Sequence, residues 1–180
     1  LGKPQYATEL LSSNNDQVIK DRSTYLIKLN NKRKEIETLV LNEIDYQKIE
    51  KENKDVIIYY NPNINEGLIG IIAARLKDYY NKPSIVITAS NESLKGSARS
   101  IYNYNIGRVI KNLLDQEIIL NGGGHNMAAG FTLNKANLKD FENYILEDFF
   151  NSNSVNDHIF SYESEVSSLV FNQDFYDNIK

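Results

Sequence analysis

Along the first third of the chain, apolar residues recur in one narrow stripe. Leu26, Leu29, Ile36, Val40 and Ile44 are spaced three, seven, four and four positions apart on a charged and polar background. That spacing keeps returning to one side of a helix. No Gly or Pro interrupts the stretch from Asp16 to about Asn53, so one long helix is predicted there. Asn14-Asn15-Asp16 offers capping side chains for its start. A short helix over 5–13, with Ala7, Leu10 and Leu11 on one side, precedes it. So narrow a stripe suits a helix that bridges two bodies and packs on each by one edge. The plainer alternative is one member of an ordinary helical pair.

The period changes at Asp55. Asp55-Val56-Ile57-Ile58-Tyr59-Tyr60 is a β-branched and aromatic run, the signature of a strand. Asn61-Pro62-Asn63 turns the chain. Gly67 to Tyr80 has helical spacing, with Leu68, Ile71, Ile72 and Leu76 apolar. Gly70, Ala73 and Ala74 are small enough for close packing on a sheet. Asn81-Lys82-Pro83 ends this helix. Ser84 to Thr88 is a second strand without polar alternation, expected to be buried on both faces. Strand, helix and strand make a crossover unit, expected to be right-handed.

Further strands are predicted over 94–100, 117–120 and 129–133, with a short helix over 106–114. An amphipathic helix follows over 136–150, with Leu138, Phe141, Tyr144, Ile145 and Phe149 on its apolar side. The predicted class is α/β: a mixed, roughly five-stranded sheet flanked by helices and preceded by a long connecting helix. Asn151-Ser152-Asn153-Ser154 reads as a linker. The residues beyond it, with Ile159-Phe160 and Leu169-Val170-Phe171, are too few for a core of their own. His158 stands alone there in a strand-like stretch and is taken as incidental.

Composition narrows the function classes. Cysteine is absent, which excludes disulfides and thiolate zinc sites and suits a reducing, cytoplasmic compartment. No apolar run approaches the ~20 residues of a membrane span, so no membrane partner is expected. The opening Leu1-Gly2-Lys3-Pro4 has no initiator methionine, which suggests a piece of a longer protein. Net charge is -4, and its distribution is uneven. Residues 134–180 hold three Lys/Arg against nine Asp/Glu, whereas residues 55–133 hold seven against six. There is no broad basic face, so nucleic-acid binding must come from a local site.

Two segments carry candidate chemistry. In the first, Gly122-Gly123-Gly124-His125-Asn126-Met127-Ala128-Ala129-Gly130, three glycines run into a histidine. Glycine loses more backbone entropy on ordering than other residues, so such a cluster needs a reason. We expect an anion-binding loop after the strand over 117–120. Gly123 and Gly124 would let backbone N–H groups face a phosphate, and His125 would donate to it. The second segment is Gly96-Ser97-Ala98-Arg99-Ser100. Arg99 offers a planar, permanently charged fork for phosphate oxygens, and Ser97 and Ser100 offer hydroxyl donors. The competing reading is a tight glycine connection between strands, an arginine that is only a surface charge, and chance serines. No Asp/His cluster has metal-ligand spacing, no Gly-Lys-Ser/Thr follows the glycines, and no Ser-His-Asp set has supporting context. The chain is therefore expected to grip a phosphate without hydrolysing it, with no catalytic residue and no metal ligand of its own.

Four stretches, in order and spacing, resemble the RecJ family of single-strand-specific exonucleases. They are Gly67-Leu68-Ile69-Gly70-Ile71-Ile72-Ala73-Ala74-Arg75-Leu76, Lys82 to Ile87, Lys95 to Ser100, and Gly122 to Gly130. The likeness is to the DHH-associated domain of that family. Leu1-Gly2-Lys3 resembles the end of the family's preceding DHH domain, and Asn30 to Glu37, with Arg33 and Ile36-Glu37, its long connecting helix. The resemblance implies three parts. Residues 1–53 would be the end of the DHH domain and the connecting helix, 54–151 the DHH-associated substrate-binding domain, and 152–180 a linker and the start of an OB-type domain. It implies degradation of single-stranded DNA from the 5′ end in recombination and repair. The manganese or magnesium ions would be bound by the absent DHH domain. Arg99 and His125 would be the main phosphate contacts, supported by Ser97, Ser100, Gly123 and Gly124. Partners implied are single-stranded DNA and the protein's own DHH domain across the cleft, with other repair proteins left open. One departure is that Ile64 and Asn65 stand where the family usually has Trp-His, which puts any substrate role of that pair in doubt. The same superfamily offers an alternative, a phosphodiesterase for short oligoribonucleotides or cyclic dinucleotides. A non-catalytic nucleic-acid or tRNA-editing accessory module ranks lower, because it lacks the His-x-x-Ala-Ala-Gly run.

Overall fold

The computed structural model describes residues 4–153 and 172–178. Leu1 to Lys3, His158, Ile159-Phe160 and Leu169 to Phe171, to which expectations were attached, lie outside the described residues. The chain opens with α1 (Pro4–Ser12) and α2 (Asp16–Asn42). The Asn15 side chain caps α2 by accepting from the backbone N–H groups of Gln17 and Val18. α1 folds back on the first half of α2, where Tyr6 meets Tyr25 edge-on and the Arg22 guanidinium lies 4.4 Å over the Tyr6 ring. The long helix is shorter than its polar pattern predicted. It stops at Asn42, and a separate α3 (Tyr46–Glu52) follows. The break has no Gly or Pro. Instead Ile44 turns in to be buried, and the Asp45 carboxylate accepts from the Lys48 N–H to start a new helix.

The sheet is built from β1 (Ile57–Tyr60), β2 (Ser84–Ser90), β3 (Ser93–Arg99), β4 (Asn121–His125) and β5 (Ala128–Leu133), in the order β1-β2-β3-β5-β4. β1 and β2 are parallel and joined through α4 (Ile69–Tyr80), as the crossover unit requires. All other pairs are antiparallel, so the sheet is mixed. α4 ends at Asn81, which adopts the left-handed conformation at φ 51°, the stop that asparagine tolerates best after glycine.

Each face of the sheet has its own apolar cluster. On one, Ile85, Ile87, Leu94, Ala98, Ala129, Phe131 and Leu133 pack against α5 (Ile106–Asp115) and α6 (Leu138–Asn153). Phe131 stacks on Phe141 of α6 with centroids 4.6 Å apart, and Tyr104 meets Phe149 edge-on at 4.9 Å. On the other face, Ile57 and Val86 pack under Leu68, Ile69, Ile72, Ala73 and Leu76 of α4 and its approach. Ile36 and Val40 of α2 close that second cluster from outside. The contact is pinned by Glu37, a nearly buried carboxylate that accepts from Arg33 Nη1 and from Arg75 Nε of α4, each at 2.8 Å. The Arg75 hydrogen bond, ahead of the opposing effect of burial, holds the Glu37 carboxyl below its ordinary value. α6 continues through Asn153, so the stretch expected to be linker from Asn151 is still helical there. A last short helix, α7 (Gln173–Asn178), lies beyond the undescribed stretch.

Candidate functional site

The glycine run is not a loop. Asn121-Gly122-Gly123-Gly124-His125 is β4 itself, an edge strand paired with β5, and 117–120 forms turns and bends rather than the expected strand. The loop proper is the two-residue turn Asn126-Met127. It is clamped from both sides, because the Ser100 N–H donates to the Met127 carbonyl at 2.9 Å and the Ile106 N–H to the Asn126 carbonyl at 3.2 Å.

Glycine is poorly suited to strands, so each one here needs a cause, and the causes differ. A Cβ on Gly122 would strike Ile110 and Ile119 at 2.8 Å. A Cβ on Gly124 would stand 2.3 Å from the Ala128 carbonyl oxygen. α5 lies close behind the strand, and Gly107 allows it, since a Cβ there would reach the His125 carbonyl at 2.8 Å. Gly123 has no such neighbour, for nothing lies within 4 Å of where its Cβ would be. Its register partner Gly130 is nearly as free. Two glycines of the run are therefore packing requirements, and Gly123 opens onto solvent.

The strand register gathers the rest of the site. Successive side chains alternate between the faces of a sheet, so the face that carries α4 can be read row by row. One row runs Tyr59, Val86, Ser97, Gly130, Gly123. Its neighbours run Ile57, Ser84, Arg99, Ala128, His125 and Thr88, Lys95, Thr132, Asn121. Within each row the side chains shrink or turn polar from β1 toward β4. α4 covers the β1–β2 end, and its first turn reaches β3. There Gly70 makes room, because a Cβ on it would lie 3.0 Å from Arg99 Nη2 and 3.2 Å from Ser97 Oγ. Beyond β3 no helix covers the face among the described residues, and it is bare in that sense. A groove of about 490 Å³ lies on it, bounded by Ile69 at the start of α4 and floored by Lys95, Thr132, Asn121, Gly130 and Gly123.

Of the six residues expected to act together, Arg99, Ser97, His125 and Gly123 thus share one face and two adjacent rows, whereas Gly124, paired with Ala129, belongs to the opposite face. Arg99 Nη1 donates to Ser97 Oγ at 3.1 Å and to the Ala98 carbonyl at 2.8 Å, which steadies the guanidinium while its Nη2 edge faces Gly70. His125 ends the edge strand exposed, and among the described residues its ring has no hydrogen-bond partner. Ser100 corrects its expectation. It is 1 % exposed, and its hydroxyl hydrogen is committed to the Tyr104 carbonyl at 2.6 Å, so it has none to offer a phosphate. Its contribution is to hold the turn that carries His125. The family's Trp-His position is also explained. Ile64 is core, 4 % exposed, with its carbonyl accepting from Thr88, and the Asn65 side chain accepts from the Gly67 N–H on the approach to α4.

Three groove residues were not singled out from the sequence: Lys95, Thr132 and Asn121. Lys95 was in principle legible, since it shares strand parity with Ser97 and Arg99. The other two need the register. Lys95 Nζ donates to Glu66 at 2.6 Å, and this hydrogen bond, followed by that of Ser90, holds Glu66 below the usual carboxylate range. Among the described residues no group of three or more His, Asp or Glu converges on a point.

Mixed sheet, crossover helix and glycine edge strand define a class. Residues 53–151 match the DHHA1 domain model. The chain belongs to the DHHA1 domain family. It is also similar to proteins named single-stranded-DNA-specific exonuclease RecJ. The Haemophilus influenzae protein is 32% identical over 183 residues, covering 96% of this chain and 32% of the relative. The Escherichia coli protein is 34% identical over 126 residues, covering 63% and 21% respectively. The chain thus spans about a third or less of the length of these relatives. The crystal structure of RecJ from Thermus thermophilus in complex with Mn2+ shares the fold. Its TM-score is 0.71 at 22% identity, covering 85% of this chain and 22% of that one.

Proposed function

We propose that this chain is the phosphate-gripping, substrate-binding part of a RecJ-like exonuclease that degrades single-stranded DNA from the 5′ end in recombination and repair. The observation that carries the proposal is the bare half-face. An arginine paired with a serine hydroxyl, and a histidine ring without a hydrogen-bond partner among the described residues, stand on two adjacent rows beside a floor of two side-chain-free glycines. Such a surface admits a sugar-phosphate backbone close to the sheet. Arg99 supplies charge-assisted hydrogen bonds to non-bridging oxygens. His125 donates from the other edge of the row, about two strand spacings or roughly 10 Å away. Together they fix the strand's position rather than cleave it. The relatives' names, single-stranded-DNA-specific exonuclease, support that substrate class. Manganese or magnesium would act in the whole enzyme, held by a DHH domain that faces this surface across a cleft, a reading supported by the Mn2+ complex of the Thermus thermophilus RecJ. A cytoplasmic site of action fits these partners.

The test is titration of the isotopically labelled chain with 5′-phosphorylated oligothymidylates, followed by NMR. Shifts at Gly123, His125 and Arg99 are expected, with affinity reduced roughly tenfold in Arg99→Ala, the size of one charge-assisted hydrogen bond. His125→Ala should weaken binding less. Unchanged affinity in both variants would overturn the proposal. Metal-dependent release of nucleotides by the purified chain would overturn the division of labour.

A further inference from the structure

The groove lies beside the row that holds Arg99 and His125 and runs away from it along the sheet. Neither of those residues lines its floor, whereas Lys95, Thr132 and Asn121, in the third row, all do. That row shares the face and the register of the other two. Two residues of strand advance roughly 6.7 Å, close to the reach of one nucleotide in an extended single strand. The three rows are therefore graduated at about the pitch of the ligand. The chemistry repeats as well. A cation stands at each outer row, Arg99 in one and Lys95 in the other, with the Ser97-Gly130-Gly123 row between them. The third row has two neutral hydrogen-bonding side chains, Thr132 and Asn121, and neither meets a side-chain partner among the described residues. Lys95 is held by Glu66, at the approach to α4.

We infer that Lys95, Thr132 and Asn121 form a further subsite that takes the phosphodiester two steps along the strand from the one held by Arg99 and His125. Glu66 is the counter-ion that a phosphate displaces from Lys95. This rests on the proposed phosphate-gripping role and deepens it, because it sets the length of strand that the domain engages. The smallest ligand that reaches all three rows is a trinucleotide with a 5′-phosphate. Mononucleotides and dinucleotides stop short of Lys95.

The experiment uses the whole chain with 5′-phosphorylated thymidine, its dinucleotide and its trinucleotide, read by NMR and repeated at several salt concentrations. Amide shifts at Gly123 and His125 are expected with all three ligands, and shifts at Asn121 and Thr132 with the trinucleotide only. Lys95→Met keeps the apolar stem on the sheet. It should abolish the gain in affinity from dinucleotide to trinucleotide and make the salt slope for the trinucleotide shallower by about 0.7, the value of one single-strand phosphate. Glu66→Gln should tighten the trinucleotide a few-fold and leave the mononucleotide unchanged. If all ligands shift Gly123 and His125 but Lys95→Met retains the length gain and the salt slope, the third subsite is wrong and the phosphate-gripping role stands. A trinucleotide tightened no more than the mononucleotide by Glu66→Gln counts against the counter-ion. If no ligand moves any residue of the face, the subsite and the proposed function fall together.

Discussion

One face of one sheet is finished in two ways. At the β1–β2 end, Ile57, Tyr59 and Val86 are roofed by α4 and then by α2, and the surface becomes core. At the β5–β4 end the same rows finish in Ala128, Gly130, Gly123 and His125, with no helix over them among the described residues. The strand geometry is common to both halves. What differs on this face is the apolar surface offered: Ile57, Tyr59 and Val86 present large apolar side chains to a covering helix, whereas Ala128, Gly130, Gly123 and His125 present little. Gly70 marks the border, where α4 has just enough clearance to lie over Arg99 and Ser97.

The largest effect should come from filling space on which the bare half depends. A Cβ on Gly124 meets the backbone of β5, and one on Gly96 would stand 2.0 Å from the Phe131 ring, which is itself fixed by stacking on Phe141. Neither obstacle is a flexible side-chain end. Gly124→Ala and Gly96→Ala should each destabilise by ~3 kcal/mol or more, through overpacking. Denaturant unfolding measures this. Wild-type midpoints in both would mean that β4 and β5 are not spaced as described.

The covered half can be loosened through Glu37, a nearly buried acid. Glu37 has a folded-state pKa below its ordinary 4.5. The stability it contributes is therefore present above that value and is lost as pH falls through the lowered folded value, where the unfolded chain takes up the proton first. Glu37→Gln should lower the melting temperature by a few degrees at neutral pH, a modest amount because Arg75 is largely exposed. The gap to wild type should narrow below about pH 4.5. A gap that stays constant down to pH 3 would show that the ion pair is not what ties α2 to α4. Ligand affinity should not change, since Glu37 lies on the covered side.

The same contrast explains how much the sequence disclosed. Covered elements announce themselves through burial periodicity. The β1-α4-β2 unit, α5 and α6 were legible to within a few residues because Val56 to Tyr60, Ile69 to Leu76 and Phe141 to Phe149 must each present an apolar side. In the bare half β5 was legible over 129–133, but β4 carries no such signal. Gly122 to His125 has no side-chain pattern at all, so its strand character is visible only through pairing with Ala128 to Thr132 and through α5 behind it. Ser100 was misjudged for a related reason: an isolated serine does not disclose whether its hydroxyl meets solvent or a carbonyl. The break between α2 and α3 was hidden because Asp45 caps a helix in a stretch where aspartate is equally ordinary on a helix surface. Candidate chemistry came from motif and family resemblance. Which of those residues share a row came from register, and register is not local information.

The smallest change separates the two halves most cleanly. Gly123 is the glycine with open space where its Cβ would go, and its φ lies outside the left-handed range. Gly123→Ala should therefore fold as well as wild type, or gain up to about 0.5 kcal/mol by restricting the unfolded chain. The new methyl group would stand on the groove floor beside Gly130, between the Arg99–His125 row and the Lys95 row. Binding of a 5′-phosphorylated oligothymidylate should weaken a few-fold while the unfolding midpoint holds or rises. A methyl group on the covered half has the opposite signature, because there it disturbs packing first. If Gly123→Ala lowered stability and left binding unchanged, the glycine would be a packing residue like its two neighbours, and the bare face would lose its floor.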